Sequence, residues 1–177
     1  MITATQRFTA CKTAEEALAS LCHGLHATAA HANQLPPVAQ KLLVHHGHMT
    51  EVLEAHHKGR ARLTVLEDHL HEGVYWRKIL LEIHGKLVEY GMVRIFLQFV
   101  PKVAADEILS RKIPLGRVLI SHDVLRRVDP RWYVELTADE LKKHFGIAPH
   151  TPSAYGRISI IHCNGEPAIE LFEAVTT

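Results

Sequence analysis

The chain has 177 residues, 47% apolar and 22% charged, a length of about one domain that can bury a core without disulfide or metal support. Its 20 basic and 19 acidic side chains leave +1, which excludes a strong electrostatic claim on nucleic acid or an anionic membrane. No apolar run approaches the ~18 residues of a spanning helix and the N-terminus lacks a signal-peptide pattern, while three scattered cysteines, Cys11, Cys22 and Cys163, fit the reducing cytoplasm better than a disulfide framework.

Thr13, with Glu16 three residues on, opens a predicted helix whose apolar stripe is Ala14, Ala17, Leu18, Leu21, Cys22 and Leu25. Pro36-Pro37 breaks the chain and starts a second helix carrying Val38, Leu42 and Leu43. Gly47 ends that helix, and Met49, Val52 and Leu53 mark a third. After Gly59 the period changes to two. Leu63 and Val65 begin a strand with a bulge before Leu66 and Leu70. Tyr75 to Ile83 and Leu87 to Phe99 follow as strands joined at His84-Gly85. A helix from Val103 to Arg111, an unassigned segment from Ile113 to Arg127, a short β run near Trp132 to Leu136 and a helix opened by Thr137 come next. Asn164-Gly165 then joins two β-rich runs, the strongest short-range hairpin signal in the chain. Helices followed by adjacent hairpins predict a single α+β domain over residues 1–177, an antiparallel sheet with helices packed on one side. Residues 1–35 read as a helical extension of it.

Two strands put a charge where a core residue belongs. Alternation places Arg77 on a face with Tyr75, Ile79, Leu81 and Ile83, and Glu170 among apolar neighbours whichever face of its strand is buried. An unpaired ionised group out of water costs several kcal/mol or more, so each requires a partner. Two solutions stand open at this point. The two charges can satisfy each other as a structural ion pair, or Arg77 can hold a ligand carboxylate with its planar fork while Glu170 accepts from a hydroxyl on the same ligand. Arg94, flanked by Met92 and Phe96, is a third candidate, read as a strand-edge arginine with its head in water.

Four stretches resemble chorismate lyases, enzymes that convert chorismate to 4-hydroxybenzoate and pyruvate. They are Leu42-Leu43 through His48-Met49-Thr50 to Glu54, then Tyr75-Trp76-Arg77-Lys78-Ile79-Leu80-Leu81 up to Gly85. Pro114-Leu115-Gly116-Arg117 with Leu119 follows, and last Gly156-Arg157 through Asn164-Gly165-Glu166-Pro167 to Glu170-Leu171-Phe172. They occur in the family's order over residues 42–175. The resemblance implies that Arg77 anchors a ligand carboxylate, Glu170 stands at the hydroxyl end, Leu115 contacts the ligand through its backbone and Met49 lies on a covering flap. It implies elimination of pyruvate in a dry cavity, with Arg77 and Glu170 as the catalytic pair, a small-molecule substrate (chorismate or a related aromatic acid) and no metal or organic cofactor. The chain departs from the family where an arginine should follow the glycine of the third long strand: here stand Gly91-Met92, with Arg94 two residues later.

Two other functions compete. Sensor domains of some bacterial regulators resemble chorismate lyase and bind small ligands without reacting them, and a non-catalytic protein of the same fold that binds or senses an aromatic carboxylate is the matching alternative here. Only about 35 residues precede the shared region, with one clear helix and no basic patch, so no DNA-reading domain is expected in this chain. The other is a metal protein, prompted by fifteen histidines, among them His45, His46, His48, His56 and His57. No recognised zinc spacing accompanies them, and solvated surface histidines are the preferred reading. Arg117, Arg126 and Arg127 form a small basic run, a solvated face by default and otherwise a lure for an anionic ligand.

Overall fold

A computed structural model describes residues 7–176. Six helices and seven strands follow the predicted punctuation closely. Thr13 caps α1 (Ala14–Leu21), its side chain accepting from the Glu16 N–H. Pro36 and Pro37 start α2 (Pro37–Leu43), and α3 (Met49–His57) follows after a tight connection. The long strands β2 (Arg62–His71), β3 (Val74–Ile83) and β4 (Lys86–Phe96) form a meander, with the expected bulge between Val65 and Glu67. After α4 (Lys102–Leu109) and α5 (Leu115–Ser121) come β5 (Arg126–Thr137), α6 (Ala138–Phe145), β6 (Ser153–Cys163) and β7 (Glu166–Val175).

Three hairpins turn on a non-glycine residue followed by glycine, both at positive φ: Glu72-Gly73, His84-Gly85 and Asn164-Gly165. This is the two-residue geometry whose twist matches that of the flanking strands.

The antiparallel sheet runs β1-β5-β6-β7-β4-β3-β2, with β1 (Thr28–Ala30) on one edge. Thr28, Ala29 and Ala30 pair with Glu135, Val134 and Tyr133, so the segment ahead of α2 contributes an edge strand to the sheet. The predicted strand from Leu87 ends at Phe96, where a 3-10 turn (Leu97–Phe99) takes over. The unassigned segment holds α5, and the short β run belongs to a twelve-residue strand, irregular between Pro130 and Trp132 where proline offers no N–H to the ladder.

Helices α2 to α5 cover one face, as expected. Ala39, Leu42, Met49 and Leu53 pack on Ile79, Leu81 and Ile83, while Ala104, Ile108, Val118 and Leu119 pack on Val93, Ile95, Ile169 and Leu171. The reverse face is covered too: α1 and α6 lay Leu18, Leu21, Leu141 and Phe145 over Leu80, Tyr90, Met92, Ile158 and Phe172. The expected one-sided cover is thus extended to both faces, because the central strands carry apolar residues on each, which alternation alone does not assign.

Candidate functional site

Strand pairing decides which charged residues can meet. Arg77 is registered with Val93 on β4, and Val93 with Leu171 on β7. Side chains in register share a face, so Arg77 stands on the face of Leu171 and Glu173. Glu170 is registered with Arg94 and stands on the reverse face. The expected pair of Arg77 and Glu170 at two ends of one ligand is therefore not formed.

Glu170 is fully buried under α1 and fully engaged. Arg94 donates to its Oε2 from Nε (2.8 Å) and Nη2 (2.5 Å), while Arg7 Nε and the Phe8 backbone N–H each donate to Oε1 at 2.8 Å. Arg94 Nη1 also donates to the Ser20 carbonyl, and the Arg7 guanidinium lies 3.4 Å from the centre of the Phe96 ring. The reading of Arg94 as a strand-edge residue with its head in water is corrected: it is buried and is the principal cation of this ionic knot. Glu170 is satisfied structurally by Arg94 and Arg7, and the Arg77–Glu170 ion pair weighed from sequence is not formed.

Arg77 meets the opposite situation. It is 1% exposed, and its Nε and Nη1 find no hydrogen-bond partner among the described residues. Burial works against its charge, and the neighbouring Tyr75 hydroxyl and Asp68 carboxylate offset only part of that. The β2 bulge aligns Asp68 with Arg77, but Asp68 is shared with the Tyr75 hydroxyl (2.8 Å) and with Arg111 (3.3 Å).

Arg77 lines a part-enclosed cavity over the centre of the sheet. The cavity has a volume of about 40 Å³. Met49, His48 and Thr50 from the start of α3, and Pro114, Leu115 and Gly116 from the start of α5, form one side. No side chain caps either helix start. Gly116 allows the two starts to close on each other, since a Cβ there would lie 2.9 Å from that of His48. Gly91 forms part of the floor, where a Cβ would lie 2.8 Å from Ile79 Cδ1.

At the far end stand two buried acids, Glu89 and Glu173. Arg157 Nε donates to Glu173 Oε2 at 2.7 Å, and its other nitrogens donate to the carbonyls of His45 and Gly47, tying the α2–α3 connection to the sheet. Glu89 has no such cation. Burial first, and then the Glu173 carboxylate, push its carboxyl well above the usual range, with Arg157 opposing. His48 is held neutral, pushed down to about 4 by burial and then by Arg126, whose Nε donates to His48 Nε2 at 2.6 Å. Arg157 is bonded to Glu173, whereas Arg77 keeps two nitrogens without partners among the described residues, an arrangement that suits an anion.

Of the residues singled out from sequence, the cavity gathers Arg77, Met49 and Leu115 and excludes Glu170 and Arg94. Sequence reading missed Glu89, Glu173, Arg157 and His48. Glu173 was visible as the one charge among Ile169, Leu171 and Val175 on the other face of its strand. The basic run is dispersed: Arg117 is bonded to Glu54 on α3, and Arg126 to His48. Among the described residues, no three His, Cys, Asp or Glu side chains converge as a metal site, and no helix is long and apolar enough to cross a membrane.

No protein-family profile matches the chain, and no curated protein matches its sequence. Its fold matches PhnF from Mycobacterium smegmatis at a TM-score of 0.50 with 16% identity, over 73% of this chain and 63% of PhnF. The structure of the PhnF effector domain aligns at 0.48 with 15% identity over 73% of this chain and 87% of that domain. YydK from Bacillus subtilis, described as a possible transcriptional regulator, aligns at 0.47 with 12% identity over 68% of this chain and 59% of YydK. This chain thus spans less than two thirds of the length of PhnF and of YydK. The architecture is the α+β, antiparallel chorismate-lyase-like fold.

Proposed function

We propose that this chain is a small-molecule binding domain, one that takes an aromatic or similarly compact carboxylic acid into the front cavity with Arg77 as the carboxylate receptor. The observation that carries this reading is the buried Arg77 guanidinium with two nitrogens lacking partners among the described residues. An uncompensated buried charge costs several kcal/mol. A ligand carboxylate accepting a charge-assisted hydrogen bond from the guanidinium offsets that cost. Met49 and Leu115 line the cavity and close over the bound acid. The space open to water centres, about 40 Å³, is below the ~150 Å³ of a cavity that accepts benzene. In this reading a ring therefore enters by displacing the α3 and α5 starts, where Met49 offers an adaptable side chain.

Chorismate lyase activity is the second reading, favoured by the meeting of Arg77, Met49 and Leu115 in one cavity. Under it, Arg77 opposes the negative charge that builds as the ether bond breaks, and a ring proton passes to the departing enol. The acid at the hydroxyl end is then Glu89 or Glu173, since Glu170 lies across the sheet. Binding takes precedence because the expected catalytic pair is divided.

Titration calorimetry with benzoate tests the first reading. The wild type should bind, and Arg77→Met should lose about 100-fold or more in affinity, the worth of a buried charge-assisted contact. Unchanged affinity in that variant overturns the role of Arg77. Incubation with chorismate and a coupled pyruvate assay separates the two readings. Pyruvate released in a way that depends on Arg77 establishes the lyase, and binding without pyruvate establishes the binding domain.

A further inference from the structure

The reverse face of the sheet carries a nucleophile and a base that the Arg77 cavity does not use. Cys22 directly follows α1 and is half-buried at the rim of the reverse-face core. Its Sγ lies 3.5 Å from Nδ1 of His144, which stands in the last turn of α6. The turn after Cys22 runs through Gly24, whose carbonyl lies 2.9 Å from the other ring nitrogen, Nε2, with Oε2 of Glu140 at 3.5 Å from the same atom. A carbonyl and a carboxylate only accept. In the neutral ring the proton therefore sits on Nε2, and Nδ1 faces the thiol with its lone pair. The His26 backbone N–H donates to Glu140 Oε2 at 2.9 Å and fixes the acid in turn. A nucleophile, a base within hydrogen-bond reach and a third group that orients the base are the parts of an activated thiol. Burial pushes the Cys22 thiol up, with Lys78 and Lys143 opposing and Glu67 and Glu140 adding to it. A thiol of that kind is a strong nucleophile once deprotonated, and the base removes its proton at the moment of attack. Cys11 and Cys163 have no such base among the described residues. Cys11 Sγ donates to the Arg7 carbonyl, and Cys163 is fully buried, where burial pushes its thiol up to about 11.

We propose that Cys22 is a site of reversible modification by small disulfides, with His144 as its general base and Glu140 as the group that orients the base. The thiol proton passes to His144 Nδ1 as Sγ attacks one sulfur of the disulfide. The S–S bond of the reagent breaks, a mixed disulfide forms on Cys22, and the departing thiolate takes the proton from His144. One thiol and one disulfide enter and one of each leave, so the disulfide itself is the oxidant. The half-buried setting of Cys22 admits a small reagent. The adduct lies beside α6, at the turn held by the bonds of Gly24 to His144 and of His26 to Glu140, on the face of the sheet opposite Arg77.

The test is incubation of the native chain with hydroxyethyl disulfide, a small uncharged probe, followed by peptide mass spectrometry. One adduct should form, on Cys22, and dithiothreitol should remove it. Cys11 and Cys163 should react only after denaturation. His144→Gln keeps a donor for the Gly24 carbonyl but is no base, and should slow the adduct by about 100-fold, the low end of what a positioned base supplies. In that variant the rate should climb about tenfold per pH unit through the neutral range, since only free thiolate reacts, whereas the wild-type rate should climb less steeply. If thermal melting shows the variant unfolded, the wild-type slope decides, and a full tenfold climb per unit overturns the proposal. It is equally overturned by the absence of an adduct on Cys22, by reaction of native Cys11 or Cys163 at the same rate, or by an unchanged rate in folded His144→Gln. Each of these results leaves the Arg77 reading standing.

Discussion

The two faces of this sheet each bury an arginine in the middle of a central strand. On the reverse face, Arg94 has a cross-strand carboxylate, a carbonyl from α1 and two aromatic rings within about 6 Å. On the front face, Arg77 has a shared aspartate near it and two nitrogens that nothing among the described residues meets. Burial and residue type are the same in both places, so neither distinguishes structure from function. Satisfaction does. A buried charge whose hydrogen-bonding capacity is filled belongs to the fold, and one left over marks where a ligand of opposite sign gains most.

The largest expected effect tests the reverse face. Glu170→Gln keeps the shape but leaves Arg94 and Arg7 without their anion, and should cost about 3–5 kcal/mol of stability in urea denaturation. Unchanged stability with weakened ligand binding would return Glu170 to the ligand site and undo the contrast. Next is the acid response of the front face. Because His48 is lowered from 6.5 to about 4, the unfolded chain takes up its proton first as pH falls. Its contribution is complete above about 6.5 and is lost progressively toward 4, by up to about 3 kcal/mol. Urea midpoints measured between pH 7 and 4 should fall less steeply in His48→Gln, and an unaltered slope would show that His48 titrates normally. The smallest effect has the opposite sign to the first. Arg77→Met removes a poorly compensated buried cation and should gain about 1–3 kcal/mol while lowering ligand affinity about 100-fold or more. A loss of stability as large as that of Glu170→Gln would make the two arginines equivalent and the contrast false.

Local structure was legible wherever one residue type has a single conformational use. Thr13, the Pro36-Pro37 pair, Asn164-Gly165 and the bulge after Val65 all act as the sequence implies. The edge strand β1 was not legible, since three small or polar residues, Thr28, Ala29 and Ala30, acquire their conformation from β5. The site was half legible. Alternation within β3 and within β7 correctly marked Arg77 and Glu170 as inward charges, yet whether they share a side depends on a register relayed through β4. No pattern inside a single strand carries that relation. Glu89 and Glu173 were hidden for a related reason: a charge next to Gly91 or near the end of a strand reads as solvent-facing until helices α3 and α5 are seen to cover it.

Glu170 and Glu173 sit three residues apart on β7 and bond cations on opposite sides of the sheet. Sliding β7 by a single residue past its neighbours would turn both acids over at once. Arg94, Arg7 and Arg157 would then all be stripped of their counterions in one step. A central strand that alternation leaves weakly addressed, being apolar on both sides, is thereby locked into a single alignment by two anchors of the same sign pointing in contrary directions.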